Sequence, residues 1–207
     1  MKNIHYILSI VTISLILACS NTAKKQEVTS TLENNTLTEK EIVDGWKLLF
    51  NGNNLEGWEV KINGFSSGEN AFNTFRVKNN SLIVSYENYE NFKDYYGHIF
   101  YKNPYSNYRL RLDYRFVGEQ CKGGQGWATK NSGVMIHSQS PESMEKDQEF
   151  PVSIEVQLLG GIQKPRERPT ANLCTPGTHV NINDKLVTTH CISSSSDTYY
   201  GEEWVNL

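Results

Sequence analysis

A chain of 207 residues is long enough for one sizeable domain with a tail and too short for several. Its net charge of −3, with neither sign concentrated, argues against a nucleic-acid partner, which needs a basic stripe. Aromatic residues make up 11%, with eleven Tyr and four Trp, a supply that suits ordinary β-sheets and sugar-binding clefts alike.

Residues 1–18 read as an export signal: Lys2 gives a positive start, the run from Ile4 to Leu17 is mostly apolar, and Ala18-Cys19 closes it. The run is shorter than the roughly 20 residues of a membrane-spanning helix. Ile16-Leu17-Ala18-Cys19 resembles a bacterial lipobox, so Cys19 is the expected lipidation site and the mature N-terminus. The expected address is the cell envelope, in the periplasm or at the outer-membrane surface, with membrane contact only through the lipid. Residues 20–36 are rich in Ser, Thr, Asn and charge and have almost nothing to bury, which describes a flexible tether. Thr38 and Glu41 fit a capping box opening one short helix before Gly45. The tether and helix thus span 20–44, and the domain spans 45–207.

Within the domain, short apolar stretches separated by turn residues point to an all-β chain. Trp46–Phe50 is an expected strand, Asn51–Asn54 a turn, and Leu55–Val60 a second strand. Phe75–Val77 and Leu82–Val84 flank Lys78-Asn79-Asn80-Ser81, a hairpin signal. Tyr95–Lys102 reads as a strand carrying His98. Tyr108–Val117 alternates, with Leu110, Leu112, Tyr114 and Phe116 inward and the arginines between them on a solvated face. Gly118–Lys130 is Gly-rich but lacks the strand-loop-helix context of a phosphate loop. It is expected to be a loop offering Trp127 to a ligand.

The segment from Asn131 to Gly161 carries the chemistry. With a period of two, Val152, Ile154, Val156 and Leu158 fall on one face and Ser153, Glu155 and Gln157 on the other. The preceding Asn131–Gln139 repeats the design, with Val134 and Ile136 opposite Asn131, Met135, His137 and Gln139. A carboxylate and a carboxamide on an otherwise apolar strand are costly to bury without partners or a task. If the two strands share a sheet, Glu155, Gln157, Asn131 and His137 meet on one concave surface.

Beyond Gly161, Thr175–Ile182 and Lys185–Ile192 read as a hairpin about Asn183-Asp184. Pairing Ile182 with Lys185 sets Cys191 near Pro176 and Cys174 near Ser193, close enough for a Cys174–Cys191 disulfide, which export permits. The same register sets His190 opposite Gly177, with His179 two residues along. Cys121 has no partner by this reading.

The set DGWKLLFNGNNLEGW, NSGVMIH, IEVQLLGG, NLCTPGTHV, TTHCI and GEEWVNL resembles the 3-keto-disaccharide hydrolase domain family, abundant in secreted and lipid-anchored bacterial proteins. The resemblance covers Trp46 to Leu207. It implies a concanavalin-like, glucanase-like jelly-roll β-sandwich of two antiparallel sheets. It also implies carbohydrate substrates whose C3 hydroxyl has become a ketone. The family continues past the Trp-Val segment with a further strand and an Asn-Gly hairpin, so C-terminal truncation is expected here.

Ordinary glycosidases set two carboxyl groups across the scissile bond. Here Gln157 and Leu159 stand where further carboxylates would be wanted. A 3-keto sugar needs only one base, because the ketone acidifies the C2 proton and the C1 substituent can then leave by β-elimination. Water adds back across the double bond. Glu155 or His137 is the expected base. Gln157, Asn131 or a bound divalent cation would hold the enolate oxygen, although no tightly spaced metal-ligand motif is present. His190, His179 and Trp127 complete the expected sugar contacts. The competing reading is a non-catalytic surface carbohydrate-binding module, marked by exposed Tyr and Trp with Glu155 dispensable. Nothing in the sequence bears on oligomeric state.

Overall fold

The computed structural model describes residues 33–207. The expected signal, Cys19 and most of the tether lie outside the described residues. At the tether's end, the Asn34 side chain donates to Ser81 Oγ at 3.0 Å and that of Asn35 to the Phe50 carbonyl at 2.9 Å.

Helix α1, Glu39–Val43, is one short turn set by local chemistry. Thr38 accepts from the Glu41 amide, and the Glu41 carboxylate accepts from the Thr38 amide at 2.7 Å, forming a capping box. Arg111 pairs with that same carboxylate and lies 5.1 Å over the Trp46 ring. Arg115 sits 4.7 Å over Trp204. Both arginines are exposed, as expected of a solvated face, and cover the aromatic rings from the solvent side.

Twelve short strands follow: β1 Trp58–Ile62, β2 Phe75–Lys78, β3 Ser81–Val84, β4 Gly97–Tyr101, β5 Asp113–Tyr114 and β6 Asn131–Ile136, then β7 Ile154–Leu159, β8 Asn172–Cys174, β9 Val180–Ile182, β10 Lys185–Val187, β11 Cys191–Ile192 and β12 Val205–Asn206. Every pairing is antiparallel, in the ladders β1–β4, β2–β3, β5–β12, β9–β10 and the four-stranded β11–β8–β7–β6. The chain is all-β, consistent with the jelly-roll sandwich expected. The β2–β3 hairpin turns on Asn79 and Asn80, both in the left-handed region at φ 51° and 55°, as a two-residue turn with right-handed strand twist requires. The best-packed core lies beside it, where Val60, Ile62, Ala71 and Phe75 close against Leu55, Phe65, Tyr95 and Ile99.

Several expected strands are shorter or absent. Trp46–Phe50 is irregular, held by a hydrogen bond from the Trp58 indole to the Leu49 carbonyl at 3.2 Å. Only Asp113–Tyr114 of the alternating 108–117 segment forms a ladder, and Leu110, expected inside, is exposed. Val152 is 43% exposed and precedes β7, whereas Ser153, expected outside, is buried. Alternation starts only at Ile154, because the Ser153 amide donates to the Pro176 carbonyl at 3.1 Å and ties the chain to the β8–β9 connection.

The polar loop 140–149 packs back on β1. The Gly64 amide and the Lys61 ammonium both donate to the Lys146 carbonyl, at 2.9 and 2.8 Å. Lys61 is buried, and that burial lowers its pKa. No described helix is long and apolar enough to cross a membrane.

Candidate functional site

The register of the four-stranded sheet decides which side chains share a face. Met135 lies opposite Glu155, Glu155 opposite Cys174, and Cys174 opposite Cys191. Directly opposed residues of antiparallel strands project to the same side, so these four form one row across the sheet. The next row is Gly133, Gln157 and Asn172, and Asn131 opposes Leu159 beyond it. The other face carries Val134, Val156, Leu173 and Ile192. Alternation along β6 and β7 therefore does put Asn131, Glu155 and Gln157 on one side.

Glu155 is half-buried between the Met135 side chain and the Cys174–Cys191 disulfide, whose Cα atoms are 4.1 Å apart. It also lies over Gly133, where a Cβ would come within 2.6 Å of Glu155 Cγ, so the strand must be bare at that point. No ion pair or hydrogen bond from another described residue reaches its carboxylate, and burial alone raises the group to about 7. Gln157 is oriented: its Oε1 accepts from Asn172 Nδ2 at 3.0 Å. Asn172 is buried and also donates to the Pro169 carbonyl while accepting from the Ser194 amide. The Gln157 amide nitrogen makes no bond to a described residue and remains a free donor.

His137 does not continue the strand. β6 ends at Ile136, and His137 is exposed at φ 48°. Past this point the Gln139 amide donates to the Val152 carbonyl at 2.8 Å, one residue out of the register of Asn131–Ile136. An extra residue has been inserted, a β-bulge, and the bulge breaks the alternation that aimed His137 beside Glu155. Asn131 stands where expected, its side chain donating to the Trp127 carbonyl at 3.3 Å.

The hairpin histidines are displaced as well. Ile182 pairs with Lys185 as expected, but Cys174 pairs directly with Cys191 and the Thr175 amide donates to the His190 carbonyl at 2.9 Å. His190 therefore faces Thr175, not Gly177. Two extra residues on the β8 side are taken up by a turn at Pro176-Gly177, where Gly177 has φ 66°. His179 and His190, both exposed, line a small pocket of about 190 Å³ with Thr175, Thr178 and Thr188. His190 also borders the main concavity, and His179 does not.

That concavity is open and broad, about 4120 Å³, and is bordered by Glu155, Gln157, Asn131, His137 and Trp127. Its size picks out no subsite, whereas the rows do. Trp127 is 55% exposed and stacks on Tyr96, centroids 5.6 Å apart at 20°, with Phe150 at 6.3 Å. Its backbone is gripped by Arg168, which donates to the Trp127 carbonyl at 2.9 Å. His98 is occupied structurally, its ring bonded to the Glu149 carbonyl at 2.7 Å, and burial lowers its pKa. Among the described residues no group of three His, Cys, Asp or Glu converges to hold a metal ion.

Asn172 and Arg168 escaped the sequence reading, which named Met135 and Cys174 without setting them against Glu155. Asn172 alone had a signal: it lies two residues before Cys174, on the same face of the same strand, and is a carboxamide in an apolar setting.

A family model described as a 3-keto-alpha-glucoside-1,2-lyase-like domain matches residues 45–207. No curated protein and no solved structure matches the chain.

Proposed function

The chain belongs to the 3-keto-alpha-glucoside-1,2-lyase-like family, a family of glycoside-acting enzymes, and from that premise we propose that it cleaves 3-keto-glycosides with Glu155 as the base. The observation that carries the reading is the isolation of Glu155, a carboxylate flanked by thioether and disulfide and raised by burial to about 7. A base titrating near neutrality combines a deprotonated fraction with useful basicity, which an ordinary carboxylate near 4.5 does not.

Glu155 takes the proton from C2, the carbonyl at C3 becomes an enolate, and the enolate collapses to break the C1–oxygen bond, the departing oxygen taking that proton from Glu155 to leave as an alcohol. Water then adds across the resulting double bond, its hydroxyl to C1 and its proton to C2 by way of Glu155, and the sum is hydrolysis. The free amide of Gln157, fixed through Asn172, donates to the sugar or its enolate oxygen. Trp127 offers its exposed face to the ring, and Asn131 borders the same concavity. His137 has no role as base, since the bulge turns it out of the strand. We assign the protein to the cell envelope through a lipid on Cys19, for which Cys19→Ala and membrane fractionation is the test.

The mechanism is tested by incubating the purified protein with a 3-keto-glucoside and with its unoxidised parent in deuterated water. Cleavage of the keto substrate alone, with deuterium at C2, is the expected result. Equal cleavage of both removes the need for a ketone and with it the elimination. Binding of both without cleavage marks a carbohydrate-binding module.

A further inference from the structure

Arg168 lies in the connection between β7 and β8 and has no carboxylate partner among the described residues. Its guanidinium instead spans four backbone carbonyls. Nη1 donates to Thr129 at 2.5 Å, Gly160 at 2.8 Å and Lys130 at 3.3 Å, and Nη2 donates to Trp127 at 2.9 Å. Its own amide donates to Thr198 Oγ1 at 2.8 Å, so the residue is anchored at both ends. A half-buried cation without a counter-ion is a costly way to satisfy carbonyls, and sheet pairing would do so without it. Within this strip the Lys130 carbonyl also accepts the Gly160 amide at 2.9 Å, and pairing goes no further back, because Gly126–Ala128 is a 3-10 turn and Lys130 sits at φ 45°.

The strip held in this way carries two of the proposed substrate contacts. The Trp127 carbonyl receives both Arg168 and the Asn131 side chain, and the Trp127 ring leaves it to stack on Tyr96. A planar fork of donors can hold this set at once, and an ammonium, with one nitrogen, cannot.

We propose that Arg168 is a positioning residue that fixes the Trp127 platform and the Asn131 amide for sugar binding. The inference rests on the proposed function for its substrate. It predicts a defect in substrate binding and not in the bond-breaking step, since Arg168 touches neither Glu155 nor Gln157.

The test compares Arg168→Lys with the unaltered protein by two readouts. One is Trp127 emission, isolated as the difference from Trp127→Phe, with its accessibility to acrylamide. The other is the split of kcat and KM on a 3-keto-glucoside. The expected result is a red-shifted, more quenchable Trp127 with KM raised about tenfold and kcat changed less than about twofold. In a Trp127→Ala background, Arg168→Lys should add little, because both changes remove one contact. Unchanged Trp127 emission, a fall in kcat at constant KM, or full additivity overturns the proposal. Should Arg168→Lys fail to fold, Thr198→Val loosens the same anchor and is judged by the same criteria. A protein inert toward the keto substrate sinks the proposed function, whereas the emission readout still decides on Arg168.

Discussion

Glu41 and Glu155 are the same side chain in two opposite surroundings. Glu41, at the first turn of α1, accepts from the Thr38 amide and hydroxyl and pairs with Arg111. Those donors, the Thr38 backbone first, hold it down at about 2. Glu155, the second residue of β7, has no donor and no cation among the described residues, with Met135, a disulfide and a bare glycine beside it, and stands at about 7. The first region uses charge to close a local structure. The second withholds every partner that would stabilise the anion, which suits a proton acceptor and adds nothing to stability at neutral pH.

The sharpest way to break this contrast is substitution. Glu155→Gln should lower turnover of a 3-keto-glucoside by roughly 100-fold or more while leaving the fold intact. Glu41→Gln should leave turnover unchanged, and His137→Ala should cost less than about tenfold. Turnover surviving in Glu155→Gln but lost in His137→Ala would exchange their roles. A smaller but equally direct effect is expected at Gly133. A methyl there would press on the Glu155 stem, so Gly133→Ala should reduce turnover roughly tenfold by displacing the carboxylate.

The pH dependences should run in opposite senses. The kcat/KM profile should fall on the acid side of about 7, as Glu155 takes up its proton. For stability, the raised Glu155 favours the fold below its ordinary value of 4.5, and this contribution is lost as pH rises through about 7. The lowered Glu41 favours the fold above 4.5, and its contribution is lost as pH falls toward about 2. Thermal unfolding across pH should therefore find Glu155→Gln gaining on the unaltered protein between pH 5 and pH 8. Glu41→Gln should lose its deficit in acid. A gap for Glu155→Gln that does not change with pH would mean its carboxyl titrates normally. The smallest effect is Thr38→Ala, which removes the cap and should cost about 1 kcal/mol by denaturant unfolding, with turnover untouched.

The features legible in the sequence are those with short-range causes. The capping box needs only Thr38 and Glu41 three residues apart, and the β2–β3 turn needs only two residues tolerant of positive φ. Glu155 and Gln157 share a face because a strand has a period of two wherever it sits. The resemblance to the family, carried by motifs from Trp46 to Leu207, agrees with a match over 45–207. His137 and His190 mark where short-range causes stop. Each was placed by extending an alternation or a register past a point where extra residues enter the chain.

From its residues alone, the chain determines an all-β architecture, the α1 cap, the hairpin turns and the common face of Asn131, Glu155 and Gln157, because each follows from dihedral preferences and strand periodicity over a few positions. Only the tertiary structure decides the bulge at His137, the turn at Pro176-Gly177 and the four carbonyls collected by Arg168. It also decides that Met135 and Cys174, respectively 20 and 19 residues away along the chain, are what flank Glu155. A carboxyl group's pKa depends on the atoms that exclude water from it, and those atoms come from strands that meet only when the sheet forms.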